Sequence, residues 1–274
     1  AIEMVGREVI FRIERVKVER GPAILEVENL SALSDKGILA LDGVSFSICE
    51  GEIFGIAGIS GNGQQELVEA LAGLREPENG TVILDGQDIT RSSSLERWQL
   101  GLGYIPSDRI DVGSIADFSL VENTAMNYYF DDEYTQRGAL DYGKIRALTE
   151  EIISEYGVAT TSSDNLAKTL SGGNLQKLIL ARVLTRKPRL VIADIPTQGL
   201  VIGATEFVGN KLVEAKEAGA CVLLISEDLD EILSLSDWVV PIYEGKFMDI
   251  IPGDKVKRES VGAMMAGLHL EAET

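Results

Sequence analysis

The sequence predicts an α/β fold in which a parallel core sheet is combined with a small antiparallel β subdomain and an inserted helical subdomain. Short apolar runs of strand length alternate with segments of helical spacing, which predicts the parallel core. Residues 117–168 have helical spacing and no strand pattern, which predicts the insertion. At 274 residues the chain is long enough for one large domain of this kind.

The strands are predicted from apolar runs and from the alternation of apolar and polar residues. The first three, at 24–27, 38–41 and 44–48, are separated by Gly37 and Gly43 and predict the flanking antiparallel sheet. Further strands are predicted at 53–57, 81–84, 103–106, 190–193, 221–225, 239–243 and 246–250. Pro106 ends the strand that precedes it, because proline cannot continue the hydrogen-bonded ladder.

The helices are predicted where apolar residues recur at every third or fourth position. They lie at 65–72, 94–100, 174–185, 206–218, 228–235 and 256–265, and the helical subdomain occupies about 117–172. Residues 1–22 have mixed charge and end in Gly-Pro, so they are predicted to be a linker from a preceding domain. Residues 23–267 then form the folded domain, and 268–274 form a tail.

Composition and charge exclude several classes of function. A net charge of −19 predicts against a nucleic-acid partner, since affinity for a phosphate backbone depends on clustered Lys and Arg. Cys49 and Cys221 lie in apolar runs and are expected to be reduced core thiols in a cytosolic protein. No apolar run is long enough to span a membrane. The only histidine, His269, lies in the tail, which argues against a histidine-based catalytic pair in the body.

One glycine-rich loop has the composition of a phosphate cradle. Residues 58–66 read Gly-Ile-Ser-Gly-Asn-Gly-Gln-Gln-Glu and lie between a predicted strand and a predicted helix. Glycines let successive backbone N–H groups point into one concavity, and the helix adds the positive end of its dipole. The frame matches the P-loop G-x-x-x-x-G-K-[ST] up to Gly63, but Gln64 replaces the lysine and Gln65 the metal-binding hydroxyl.

A second segment with the composition of a phosphate-binding site reads Leu-Ser-Gly-Gly-Asn at residues 170–174, at the start of a predicted helix. Ser171 is predicted to cap that helix, while Gly172 and Gly173 expose its first amides to an anion. Taken alone, such a stretch is an ordinary helix N-terminus. Its position gives it weight, because the glycine loop precedes it and an apolar strand that ends in Asp194 follows it.

This order of motifs resembles that of ATP-binding-cassette (ABC) ATPases over residues 24–267. The resemblance implies a P-loop NTPase fold that binds ATP and Mg²⁺. It assigns nucleotide binding to Gly58, Ser60, Gly61, Asn62, Gly63, Gln64, Gln65 and Ser107. It also implies that Asp194 is the Walker B carboxylate, which would bind Mg²⁺ weakly here. Ser171, Gly172, Gly173 and Asn174 would be the signature that one ATPase domain presents to the ATP of its partner.

Several positions depart from the family pattern, and together they predict that the chain's own site has no catalytic residue. Ile195 replaces the general-base glutamate, and loss of a general base typically costs about 10²–10⁴ in rate. Glu227 replaces the switch histidine, although it could equally be a solvated loop carboxylate. The D-loop lacks its aspartate at Val201, and no aromatic residue for adenine stacking lies between Leu30 and Leu41. Lost charge and lost stacking would weaken ATP binding by about 3–5 kcal/mol.

Within the family, the chain resembles the second, degenerate half of the tandem ATPases of bacterial and archaeal simple-sugar or nucleoside importers. This resemblance implies an upstream ATPase half in the same polypeptide, transmembrane permease subunits and, indirectly, an external solute-binding protein. It implies a location on the inner face of the cell membrane. Rings at 128–130 and 134 would then either pack the helical subdomain or form a surface for the permease.

Two alternatives remain open from the sequence. The chain could homodimerise and hydrolyse ATP with Gln64 and Gln65 tolerated. It could also be a nucleotide-dependent scaffold that takes no part in transport. The transported solute is not encoded in this sequence, since in the family selectivity belongs to other subunits.

Overall fold

The structure is a computed structural model that describes residues 20–136 and 138–268. The predicted linker up to residue 19 and the histidine of the tail lie outside the described residues. The strands are β1 (Ala23–Leu33), β2 (Leu39–Cys49), β3 (Ile53–Ala57), β4 (Asn79–Leu84), β5 (Gln87–Asp88), β6 (Leu102–Ile105), β7 (Thr135–Gln136), β8 (Ala139–Leu140), β9 (Leu190–Asp194), β10 (Cys221–Ser226), β11 (Trp238–Tyr243), β12 (Lys246–Phe247) and β13 (Ile251–Pro252). The helices are α1 (Gln64–Ala72), α2 (Ser94–Gln99), α3 (Leu120–Ala125), α4 (Tyr142–Glu155), α5 (Gly172–Leu184), α6 (Ile202–Glu217), α7 (Leu229–Leu235) and α8 (Arg258–Met265).

The core sheet has the order β12-β11-β3-β10-β9-β6, with β13 also paired to β11. Strands β11, β3, β10, β9 and β6 are parallel, as the alternation of strands and helices predicts. Every residue of β3, β9 and β10 is buried, which explains why their sequences are continuous apolar runs. The carboxyl ends of these five parallel strands therefore lie at one edge of the sheet, where the glycine loop begins after β3.

The antiparallel sheet has the order β2-β1-β4-β5 and differs in detail from the prediction. The segments 38–41 and 44–48, predicted as two strands, lie in the single strand β2 except for Ile38, which precedes it. Gly43 has a φ of +65°, and its N–H donates to the Ser31 hydroxyl at 2.9 Å, while the pairing with β1 shifts register around it. The glycine therefore marks a bulge rather than a turn.

The two faces of the core sheet pack against different layers, so two hydrophobic cores result. In β3, Ile53 and Ala57 face a core built with helices α3 to α8. Phe54 and Ile56 face the opposite way, toward the antiparallel sheet and α1. This alternation follows from the period of two along a strand. Cys49 and Cys221 are free and buried.

The inserted subdomain contains the predicted helical segments and one hairpin that the sequence did not predict. Ser119 and Glu122 form a capping box at the start of α3. Between α3 and α4, strands β7 and β8 pair as a hairpin, so the expectation of no strand in this region was wrong. Each of these strands has two residues, which is too short to produce an alternating pattern.

A cluster of aromatic rings surrounds Arg186 at the end of α5. Its guanidinium lies 3.5 Å from the ring centroid of Trp98 and 5.1 Å from that of Tyr128. Tyr128 is buried and packs edge-on against Tyr134, whereas half of Tyr129 is exposed. The rings thus divide between packing the subdomain and facing outward. Among the described residues, no helix combines the length and the apolar character needed to cross a membrane.

Candidate nucleotide-binding site

A cavity of about 460 Å³ lies at the carboxyl ends of β3, β6, β9 and β10, where ligands bind in parallel sheets. It brings together several of the residues predicted from the sequence. Those lining it are Ser60, Gly61, Gln64, Gln65, Ser107, Asp194, Ile195 and Glu227. Gly58, Asn62 and Gly63 shape the loop without lining the cavity.

Gln64 folds back over the glycine loop and fills part of the cradle. Its amide nitrogen donates to the Ile59 carbonyl at 3.0 Å, and its amide oxygen accepts from the backbone N–H of Asn62 at 3.0 Å. A Cβ on Gly58 would lie 2.4 Å from the Gln64 nitrogen and 2.5 Å from Cγ2 of the buried Ile242, so a side chain there would force both to shift. The Asn62 N–H is one of the donors that a phosphate would need, and the neutral Gln64 amide oxygen already accepts its hydrogen bond.

The rest of the loop is held by the hairpin between β11 and β12. The side-chain oxygen of Asn62 accepts from the Glu244 N–H at 2.8 Å, and the Asn62 carbonyl accepts from the Gly245 N–H at 3.0 Å. Gly63 has a φ of +101°, and a Cβ there would lie 2.4 Å from the Ala40 carbonyl oxygen. The loop conformation is thus fixed before any ligand binds.

The residues at the metal position do not fit Mg²⁺ in this arrangement. The Gln65 amide nitrogen donates to the Glu69 carboxylate at 2.8 Å. Asp194 is buried and accepts the Ser107 hydroxyl at 2.8 Å and a hydrogen bond from Tyr104. Burial also raises the pKa of Asp194. A cation at Asp194 would have to displace both hydroxyls from this carboxylate.

The positions of the general base and of the switch residue are filled by side chains of opposite character. Ile195 has a φ of +42°, an unusual conformation for a β-branched residue, and its N–H donates to the Ile225 carbonyl at 2.9 Å. Its side chain cannot accept a proton. Glu227 is exposed and lines the cavity, where its carboxylate would repel a phosphate.

The predicted signature lies at the start of α5 and outside this cavity. Ser171 is the N-cap residue, but its hydroxyl makes no capping bond, so that part of the prediction was wrong. Instead it accepts from the Asn174 amide at 2.9 Å, while the Asn174 oxygen accepts from the Ala159 N–H at 2.8 Å. Ser171 and Gly172 are exposed. None of the four signature residues lines the cavity beside the P-loop.

Sequence reasoning missed three residues at or near the cavity. Tyr104 reaches Asp194 because β6 pairs with β9, a neighbour that sequence spacing does not reveal. Glu69, which holds Gln65, could have been found from the four-residue spacing on one helix face. Arg109 belongs to a segment, 105–109, that resembles the family, but its bond to the Gln198 carbonyl, which bridges two loops, was not predicted.

Gln64→Lys is expected to tighten nucleotide binding by about 10- to 100-fold. The lysine would free the Asn62 N–H and add a charge-assisted bond worth about 1.5–3 kcal/mol. Nucleotide titration of the purified chain by calorimetry measures the change. The control Gln64→Leu frees the same N–H without adding charge and should gain much less. If the lysine variant and the wild type bound nucleotide with equal affinity, the interpretation that Gln64 blocks the phosphate cradle would be contradicted.

Comparison with known proteins places these features in a family. Residues 41–198 match the family described as ABC transporter. The chain is 41% identical over 266 residues to a glucose import ATP-binding protein, TsgD13, of Haloferax volcanii, covering 96% of this chain and 48% of that protein. It is 39% identical over 264 residues to a guanosine import ATP-binding protein, NupO, of Bacillus subtilis, covering 96% and 52%. The chain thus spans about half the length of these relatives.

Solved structures support the same fold. A nucleotide-free ATP-binding cassette from an ABC transporter aligns with a TM-score of 0.72 at 22% identity, covering 85% of this chain and 92% of that one. A dimeric cassette bound to ADP and phosphate aligns equally well, with a TM-score of 0.72, 22% identity and coverage of 84% and 98%. The family match and the shared architecture agree with the order of the sequence motifs. The chain belongs to the ABC transporter family, and its fold is that of an ABC ATPase.

Proposed function

We propose that this chain is the C-terminal half of the ATP-binding protein of an importer for simple sugars or nucleosides. In this proposal, its signature completes an ATP site on the upstream half, and its own P-loop hydrolyses ATP weakly or not at all. The relatives named for glucose and guanosine import support the solute class, and their double length supports a tandem protein. ATP and Mg²⁺ would then be bound chiefly by the upstream half.

One observation carries this proposal: the start of the signature helix is exposed, whereas the Gln64 side chain fills part of the chain's own phosphate cradle. The first N–H groups of a helix have no partner within the helix, so those at Gly172 and Gly173 suit an anion supplied from outside. In contrast, Gln64 occupies the chain's own cradle, and Ile195 offers no base. A domain of this kind is better suited to assist a neighbour's hydrolysis than to perform its own.

The proposal places the chain on the cytoplasmic face of the membrane, bound to permease subunits. Exposed apolar side chains beside the inserted subdomain, at Ile110, Val112, Ile115 and Phe118, support a protein contact there, together with Tyr129. An external solute-binding protein would act on the chain only through the permease.

The test uses the complete ATP-binding protein assembled with its permease. Gly173→Asp is expected to lower solute-stimulated ATPase activity on the order of 10²-fold, because it puts a negative charge where the triphosphate must bind. The fold should tolerate this change, since a Cβ on Gly173 meets only the Ala204 Cβ at 3.4 Å. The control Gly173→Ala adds that Cβ without charge and should retain most activity.

Undiminished activity of Gly173→Asp would contradict the proposal. The purified chain alone should turn over little ATP. Rapid hydrolysis by the chain alone would instead favour the active homodimer. Normal activity of the complete protein without any permease would favour a scaffold that takes no part in transport.

A further inference from the structure

Arg109 follows β6 and lies between the signature and the loop after β9. Its Nη2 donates to the Gln198 carbonyl. A Cβ on Gly172 would lie 3.3 Å from its Nη1, and a Cβ on Gly199 would lie 3.8 Å from its Nη2. The guanidinium also lines a cavity of about 630 Å³ that extends along the signature, with Lys168 and Leu170. The side chain therefore places a positive charge directly beside the first turn of α5.

This charge has no carboxylate partner within 4 Å in the part of the chain that the structure describes. The nearest acid in sequence, Asp108, accepts instead from the N–H groups of Ile110 and Asp111, at 2.9 and 3.0 Å. Partial burial lowers the pKa of Arg109, but the guanidinium stays protonated at neutral pH. Asp108 adds a favourable Coulombic interaction, but no ion pair within 4 Å among the described residues uses the remaining N–H donors of this half-buried guanidinium, so they are available to an anion from outside.

We propose that Arg109 binds phosphate oxygens of the ATP held by the upstream half and so acts together with the signature. This inference rests on the function proposed above and adds one residue to it. Guanidinium suits the role because its fork donates two N–H bonds to a phosphate, whereas an amide offers one neutral donor. Nη2 keeps its bond to Gln198, so Nη1 and Nε remain to meet the ligand. The bond to Gln198 also ties the loop after β9 to the presence of that ATP.

The experiment compares Arg109→Gln, Arg109→Lys and a control in the complete ATP-binding protein assembled with its permease. Arg109→Gln is expected to weaken binding of a non-hydrolysable ATP analogue about 10-fold or more, with a smaller effect on ADP, and to lower ATPase activity accordingly. Arg109→Lys should recover part of both. The control is Arg146→Gln. Arg146 is a partly exposed residue of α4 that pairs with Asp164, and its replacement should change neither the binding of the ATP analogue nor the ATPase activity.

The ratio of ATP to ADP affinity separates binding from a merely structural role. Equal losses for ATP and ADP with a lowered melting temperature would overturn the proposal, as would an unchanged affinity for the ATP analogue. Gly173→Asp, measured in the same assembly, separates the two proposals. If it abolishes activity while Arg109→Gln has no effect, only the role of Arg109 is overturned; if both have no effect, the signature function fails as well.

Discussion

Arg182→Ala is expected to destabilise the chain by about 3–5 kcal/mol. Arg182 lies on α5 and is fully buried, and it holds two separate segments by their carbonyls. Nη1 donates to Asn123 of the helical subdomain at 2.6 Å, and Nη2 donates to Gly113 of the segment that follows β6. Burial lowers its pKa to about 10, so it remains charged at neutral pH. Alanine would leave two buried carbonyls without donors and a void between them.

Urea denaturation of the purified wild type and variant at pH 7 gives the difference in the free energy of unfolding. Arg182→Met fills most of the volume and should restore the packing term but not the two hydrogen bonds. The control Arg91→Ala removes an exposed arginine that pairs with Glu76, and such a pair is worth about 0–1 kcal/mol. A loss below about 1 kcal/mol for Arg182→Ala would contradict a structural role for these bonds.

The segments that Arg182 connects include those to which the proposed function is assigned. The same helix begins at the signature, and the carbonyl of Gly113 belongs to the segment that starts at Arg109. One buried side chain thus fixes the helical subdomain, the signature helix and the Arg109 segment relative to one another. Loosening this contact is expected to reduce coupling between the signature and the loop after β9 even where the chain still folds.

The sequence predicted the parts of the site that are local in the chain. The glycine loop, the signature and the ends of the buried strands follow from glycine spacing and hydrophobic pattern, and the structure has each of them. The loss of positive charge at Gln64 was also predictable. That its amide would turn back onto Ile59 and Asn62 was not, because this depends on where the loop directs its own N–H and carbonyl groups.

Contacts between distant segments account for most of what the sequence could not predict. Ser107 and Tyr104 reach Asp194 only because β6 is the neighbour of β9 in the sheet. The bulge at Gly43 has the same glycine signal as a turn, and only the pairing with β1 distinguishes them. Arg182 lies on an amphipathic helix, and nothing local in the sequence indicates that its side chain is buried.

A buried carboxyl, Glu231 of α7, also escaped sequence reasoning and should give stability an unusual pH dependence. One of its oxygens accepts from the hydroxyls of Ser226 at 2.6 Å and Thr197 at 3.0 Å. The other is buried and has no hydrogen-bond partner among the described residues. The pKa of Glu231 is raised to about 7, chiefly by burial and in smaller part by nearby Asp228, while the two hydroxyl donors act to lower it.

Between pH 4.5 and 7 the folded chain holds a proton on Glu231 that the unfolded chain has released. The protonated Glu231 therefore contributes fully to the stability of the fold at or below pH 4.5. This contribution falls as the pH rises through the window and is lost above pH 7, a change in the free energy of unfolding on the order of 3 kcal/mol. Glu231→Gln removes this dependence, so the variant should match the wild type near pH 4.5 and exceed it in stability at pH 8. Urea denaturation at pH 4.5, 6, 7 and 8 measures both, and Glu227→Gln, an exposed change nearby, should keep the wild-type slope. Parallel pH profiles for wild type and Glu231→Gln would mean that Glu231 is ionised in the folded chain throughout, and that its two hydroxyl donors outweigh its burial.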